Sequence, residues 1–211
     1  MEIQKIKLPK GKGRGKAYII DNYFSYFDMR FIYSTVLQGP FNYTQMSEPL
    51  SNIRNYRFSQ HIEGGDNRVN MLLRKAVDDI TQKILPKKQL TPSEIYVNIA
   101  DAMTVTLPHT DRPKECWTLL YYPNIEWDIK YGGQTNFIDQ ETMDILAAVV
   151  PKPGRFILFR ADLLHQATPP TFYAPDKRLT IAMKLDPYEI LDNNEHETKE
   201  KDYVTTNSCW N

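Results

Sequence analysis

Few residues of this chain have the type and spacing to do chemistry, and three of them form a pattern. In LPHTDRPKEC, Leu107 to Cys116, His109 and Asp111 flank a single threonine. On an extended strand the side chains at i and i+2 point to one face, so both can reach one metal ion while Thr110 points away. Such a pair also arises by chance, and a metal needs a third ligand. The other histidines are His61 in a polar stretch, His196 in an acidic tail, and His165 at the end of the apolar run RFILFRADLLH. His165 precedes a proline-containing turn and can be presented from a sheet rim toward His109. Two imidazoles and a carboxylate leave three octahedral positions open, the facial arrangement that suits non-haem Fe(II); zinc and manganese stay compatible by ligand type.

A fourth residue bears on what fills those positions. In DKRLTIAMKL, Leu179, Ile181, Met183 and Leu185 alternate with Arg178, Thr180, Ala182 and Lys184, a period of two that marks a strand with one apolar face. If the apolar set packs on helices, Arg178 turns into the barrel on the metal side. An enclosed guanidinium calls for an anion, and its planar fork matches a carboxylate. The alternative is an arginine at a solvent-exposed strand end.

The elements that position these residues read as two helices followed by short strands. Asp21 is the expected N-cap of a helix over NYFSYFDMRFIYSTVLQ, with Tyr23, Phe24, Phe27, Phe31 and Ile32 as its core side. A second helix is expected from Asp66 or Asn67 to just before Pro86, burying Val69, Leu72, Leu73, Val77, Ile80 and Leu85. Between them, SEPLSNIRNYRFSQHIEGGDN reads as a short strand or hairpin with a flexible return, or as a plain surface connection. After Pro92, the strands EIYVNIA, TVTLPHTD, CWTLLYYPN, GGQTNFID, RFILFRADLLHQATPP and KRLTIAMKL predict a β-sandwich or barrel with both helices against one outer face.

Bulk properties set the frame. The 211 residues and 41% hydrophobic content fit one core of ordinary size. The organisation expected is a basic flexible arm at 1–16, a helical support and lid loop at 17–91, a β core at 92–187, and a charged tail at 188–211. With 26 basic and 26 acidic residues the formal net charge is zero, which gives no pull toward nucleic acid or anionic membrane. No apolar run approaches the roughly 20 residues of a bilayer span, and the N-terminus lacks a signal-peptide core, so a soluble, cytoplasmic protein is expected. Cys116 and Cys209 lack CxxC spacing, and free thiols are the default.

Taken together, HTD, then LLYYPNIEWDIKYGGQTNFID, then His165 and Arg178 resemble the 2-oxoglutarate and Fe(II)-dependent oxygenases of the prolyl 4-hydroxylase type. The resemblance spans roughly Tyr96 to Pro187, and YYPNIEWDIKYGG is similar to the hypoxia-sensing prolyl hydroxylases. It implies a mainly β fold with supporting helices, the double-stranded β-helix or cupin-like jelly roll. It implies Fe(II) with 2-oxoglutarate and O2 as cosubstrates, and His109, Asp111 and His165 as iron ligands. Arg178 then pairs the C5 carboxylate of 2-oxoglutarate, Tyr122 donates its hydroxyl to the same group, and Thr180 assists. The implied reaction is hydroxylation of an unactivated C–H, first of a prolyl residue in a polypeptide, second of a free amino acid or other small molecule.

Where relatives of this type carry tyrosines, three residues before the first ligand and further upstream, this chain has Thr106 and Ile99–Ala100. By analogy with the segment that closes over peptide in prolyl hydroxylases, Ser47 to Asn67 is expected to be a substrate lid, with Tyr56 and Arg57 as contacts. The loop QATPPTFYAPDK is expected at the pocket rim. Two other classes compete: a metal enzyme without cosubstrate, which needs no inward arginine, and a non-catalytic jelly-roll binding module. The sequence leaves the oligomeric state open.

Overall fold

The computed structural model describes residues 1–8, 15–46, 55–62, 67–112 and 115–188. Among them, eleven strands form two antiparallel sheets. The larger contains β1 (Glu2–Lys5), β2 (Ala17–Asp21), β3 (Asn42–Met46), β4 (Asn55–His61), β5 (Leu90–Ala100), β6 (Trp117–Tyr121), β9 (Phe156–Arg160) and β11 (Arg178–Pro187), in the order β1-β2-β9-β6-β11-β5-β4-β3. The smaller is β10 (His165–Ala167), β7 (Thr135–Ile138) and β8 (Ile145–Val149), in that order. Helices α1 (Tyr26–Gln38) and α2 (Arg68–Ile84) lie on the outer side of the larger sheet, as the strand pattern predicts for a sandwich or barrel, and the mainly β jelly roll is the one that the resemblance implies.

The larger sheet separates two apolar layers, and period-two alternation assigns residues to each. On β9, Phe156 and Leu158 face the helices while Ile157 and Phe159 face the smaller sheet. On β11, Leu179, Ile181, Met183 and Leu185 join Ile32, Val36, Leu73, Val77 and Ile80 under the helices. Each such fully buried aliphatic contributes about 1.5–3 kcal/mol relative to exposure. The other face of β11 is left for Arg178, Thr180, Ala182 and Lys184. β11 is central: Thr180 pairs with Asn98 of β5, Ala182 with Tyr96 of β5 and Leu120 of β6, and Lys184 with Glu94 of β5 and Thr118 of β6.

α2 matches expectation closely. Asn67 caps it by accepting from the Val69 N–H at 2.9 Å, and Val69, Leu73, Val77 and Ile80 are buried, with Leu72 partly so. α1 differs. It starts at Tyr26 and is capped by Ser25, not Asp21, because both oxygens of Asp21 accept from Arg155, at 2.8 and 2.7 Å. Within the helix Ile32 and Val36 are buried, while Phe27, expected on the core side, is 79% exposed. Tyr23 and Phe24 still reach the core, from the turn ahead of the helix, against Phe156 and Tyr121.

Further departures concern strands. Residues 2–5, expected within a flexible arm, pair with β2. β3 and β8 form where none was expected; the alternation in each is weak, and each gains its ladder from a neighbouring strand. TVTLPHTD, expected as a strand, is irregular apart from a single bridge at His109. Residues 9–14 of the expected arm, the stretches 47–54 and 63–66 of the expected lid, and the tail from 189 lie outside the described residues. No described helix is long and apolar enough to cross a membrane.

Candidate metal centre

His109 and His165 meet at an isolated antiparallel bridge, each donating its backbone N–H to the other's carbonyl at 2.9 Å. That ladder brings the imidazole centroids to 4.5 Å. Asp111 is tied two residues further on, its N–H donating to the Ala161 carbonyl at 2.8 Å. The i, i+2 relation of His109 and Asp111 therefore survives without a full strand, because backbone bonds on either side of Thr110 hold the segment extended.

Both rings are oriented alike. His109 Nδ1 lies 3.0 Å from the Leu107 carbonyl and His165 Nδ1 lies 2.9 Å from that of Leu163. A carbonyl can only accept, so these contacts place the proton on Nδ1 and make each Nε2 the nitrogen that can ligate a metal. The Nε2 atoms approach opposite oxygens of Asp111, at 3.6 Å from His109 and 3.7 Å from His165. All three ligand atoms lie within 4.8 Å of one another, and this is the one such cluster of three among the described residues.

The electrostatics suit metal binding. Burial pushes His165 down to about 4 against the opposing pull of Asp111, so its imidazole is neutral near pH 7. Burial alone would raise the pKa of Asp111, but the Lys184 ammonium beside it overrides that and holds the carboxyl well below its usual range. Thr118 Oγ1 also donates to Asp111 Oδ2 at 2.6 Å. Two imidazoles, that of His165 neutral, and an ionised carboxylate converge from one side with their other atoms anchored and fit a first-row divalent ion such as Fe(II).

Behind the triad the cavity is lined by Tyr96, Asn98, Thr135, Arg178 and Thr180. Arg178 is 3% exposed. Its Nε donates to the Gly133 carbonyl at 2.6 Å, an outer nitrogen donates to Thr135 Oγ1 at 3.2 Å, and the guanidinium lies 5.4 Å from the Tyr122 ring centroid. Gly133 reaches this position with φ +77°, and a Cβ there would come within 2.8 Å of Arg178 Cδ. The second glycine of the YGG run thus makes room for the arginine. Tyr122 is fully buried, its hydroxyl 2.7 Å from Thr135 Oγ1, and burial raises its pKa against the opposing Arg178 charge.

The six residues expected as metal ligands and cosubstrate contacts, His109, Asp111, His165, Arg178, Tyr122 and Thr180, therefore sit in or against one cavity. Sequence reasoning passed over Tyr96, Asn98, Thr118, Thr135 and Lys184. The signal for Lys184 was the same alternation that turned Arg178 inward. Asn98 and Tyr96 share the corresponding parity on β5, and the Asn98 Oδ1 is buried without a hydrogen-bond partner. Tyr56 and Arg57 lie in β4, their side chains outside what is described. The loop from 168 to 176 carries the exposed pair Phe172 and Tyr173. A larger concavity of about 830 Å³, lined by Tyr26, Phe27, Arg30 and Leu37 of α1 with Glu126 and Asp176, lies apart from the triad.

Residues 97–183 match the 2OG-Fe(II) oxygenase superfamily. No curated protein matches the chain in sequence. Among solved structures, it is similar to a prolyl hydroxylase from Trichoplax adhaerens, in complex with a hypoxia-inducible-factor oxygen degradation domain peptide fragment. That match has a TM-score of 0.63 and 22% identity, covering 81% of this chain and 83% of that one. A Pseudomonas putida prolyl-4-hydroxylase matches with a TM-score of 0.60 and 16% identity, covering 82% and 93%. A viral collagen prolyl hydroxylase from Paramecium Bursaria Chlorella virus-1 matches with a TM-score of 0.57 and 16% identity, covering 81% and 90%. These likenesses place the fold as the double-stranded β-helix.

Proposed function

We propose that this chain, whose residues 97–183 match the 2OG-Fe(II) oxygenase superfamily, is a 2-oxoglutarate-dependent dioxygenase that uses Fe(II) and O2 to hydroxylate a prolyl residue in a protein or peptide, releasing succinate and CO2. In this reading His109, Asp111 and His165 hold the iron, Arg178 pairs the C5 carboxylate of 2-oxoglutarate, and Tyr122 and Thr180 complete the cosubstrate cradle.

The observation that carries the reading is Arg178. Its partners among the described residues are the Gly133 carbonyl, the hydroxyls of Thr135 and Tyr122, and the Tyr122 ring, so a buried cation faces the metal-ligand cavity without a carboxylate. Burying a charge in that way is costly unless a ligand supplies the counter-charge. A dicarboxylate long enough to reach from Arg178 to the triad does so while leaving its other end for the metal.

Bound Fe(II), with 2-oxoglutarate and O2, supplies the oxidising chemistry for an unactivated C–H. The residues of this chain supply orientation and a dry site. Leu107 and Leu163 carbonyls fix the two imidazoles, Thr118 and Lys184 fix the carboxylate, and Phe159, Leu120 and Ala182 wall the cavity with apolar surface. The choice of a prolyl polypeptide is supported by the prolyl hydroxylases among the structural neighbours, one of them holding a peptide. The Asn98 Oδ1, buried without a hydrogen-bond partner, adds to it, since an amide oxygen can accept from a peptide N–H.

The test is anaerobic titration of the Fe(II) protein with 2-oxoglutarate, in which the weak visible charge-transfer band of the chelate is expected. Succinate release in air should then rise with proline-containing peptides. Absence of both the band and any succinate formation refutes the cosubstrate assignment; stimulation by free amino acids but no peptide refutes the polypeptide substrate.

A further inference from the structure

Lys184 has no part in the assignments carried by resemblance, yet it is built into the centre. Its Nζ contacts Asp111 Oδ1, and the two side chains are 8% and 6% exposed. Its cross-strand neighbours account for the rest of its surroundings. Thr118, opposite on β6, donates to the other oxygen of Asp111. Glu94, opposite on β5, is engaged by Arg112 at 2.7 Å, and Arg112 also reaches both oxygens of Asp186 at 3.2 Å. The Tyr96 ring lies 5.7 Å from the ammonium. The ammonium thus has one contacting carboxylate among the described residues, and that carboxylate is the candidate metal ligand.

We propose that Lys184 is the resident counter-ion of the metal centre, a positioning residue that neutralises and aligns Asp111 before a metal arrives and then opposes the metal's charge. A buried ion left without a partner is strongly destabilising, whereas a matched pair is not. With Lys184 in place, the triad assembles with its carboxylate ionised and both oxygens held, one by ammonium and one by the Thr118 hydroxyl, in the absence of metal. The same fixed positive charge repels an incoming divalent ion. Its removal therefore acts in opposite directions on the empty and filled protein, a signature that loss of packing alone does not produce.

This inference rests on His109, Asp111 and His165 being the metal ligands. The experiment uses the full chain and Mn(II) as probe, with free Mn(II) followed by electron paramagnetic resonance and thermal midpoints measured with and without the ion. Lys184→Met and Lys184→Gln, two neutral replacements of different shape, are compared with the parent and with Lys184→Arg. Both neutral variants are expected to have a lower metal-free midpoint, to bind Mn(II) at least tenfold more tightly, and to gain more thermal stability from it. Lys184→Arg, which keeps the charge, is expected to stay within a few-fold of the parent affinity. If the parent binds one Mn(II) and the neutral variants bind it equally or more weakly, the role of Lys184 is overturned while the triad stands. If the parent does not bind Mn(II), the triad assignment falls and takes this inference with it.

Discussion

Replacing Arg178 by alanine isolates the contribution of one side chain to cosubstrate binding. The guanidinium is enclosed, held by Gly133 and Thr135, and paired with no carboxylate among the described residues, so its full charge is available to a ligand. A charge-assisted, desolvated guanidinium–carboxylate pair contributes about 2–5 kcal/mol, which corresponds to a loss of roughly 30-fold to several thousand-fold in 2-oxoglutarate affinity. Arg178→Lys keeps the charge but not the fork and should fall between. The assay is anaerobic titration of the Fe(II) protein, with Mn(II) affinity measured in parallel. Because Arg178 contacts none of His109, Asp111 and His165 directly, Mn(II) affinity should change less than about threefold, well under the roughly tenfold that 1.4 kcal/mol represents. An Arg178→Ala protein that binds 2-oxoglutarate as tightly as the parent would refute the assignment. One that loses the metal and the cosubstrate together would show that Arg178 supports the fold of the site instead.

Three further outcomes follow from the same geometry. Gly133→Ala places a Cβ 2.8 Å from Arg178 Cδ on a backbone at φ +77°; it should lose about 1–3 kcal/mol of stability, read by thermal melting, and weaken 2-oxoglutarate binding by displacing the arginine. Metal-free protein should lose stability on acidification through His165, whose native value near 4 lies below its ordinary 6.5. The unfolded chain binds the extra proton first, so this stabilisation is complete above about pH 6.5 and disappears toward pH 4. It amounts to about 3 kcal/mol, read by urea unfolding across that range. Arg112→Met leaves Glu94 and Asp186 facing each other at the edge of the centre and should cost about 3 kcal/mol, measured by denaturant titration.

The parts of the centre legible in the chain were those governed by short-range periodicity. Strand alternation in KRLTIAMKL is strict, so it turned Arg178 and Thr180 inward before any partner was known, and the structure places both against the cavity. The helix over Arg68–Ile84 was equally plain, with an Asn cap, a clean apolar stripe and a proline stop. The start of α1 was not, because Asp21 has two competing uses, as a cap or as partner to Arg155, and the second depends on a residue 134 positions away. β3 and β8 escaped notice for a similar reason: their strand character comes from pairing with β4 and β7, which local composition does not encode.

Residue identity and spacing settled the donor types, the candidate ligand set and the inward arginine, since these follow from side-chain chemistry and a two-residue repeat. Tertiary structure decided what surrounds them. The bridge between His109 and His165 joins segments 56 residues apart, and carbonyls at Leu107 and Leu163 choose which imidazole nitrogen can ligate a metal. Lys184 became a partner of Asp111 only when β11 was laid beside β6 and the HTD segment was folded over both. Contacts across sheets depend on register and on which face each strand buries, and both are set by the whole core at once.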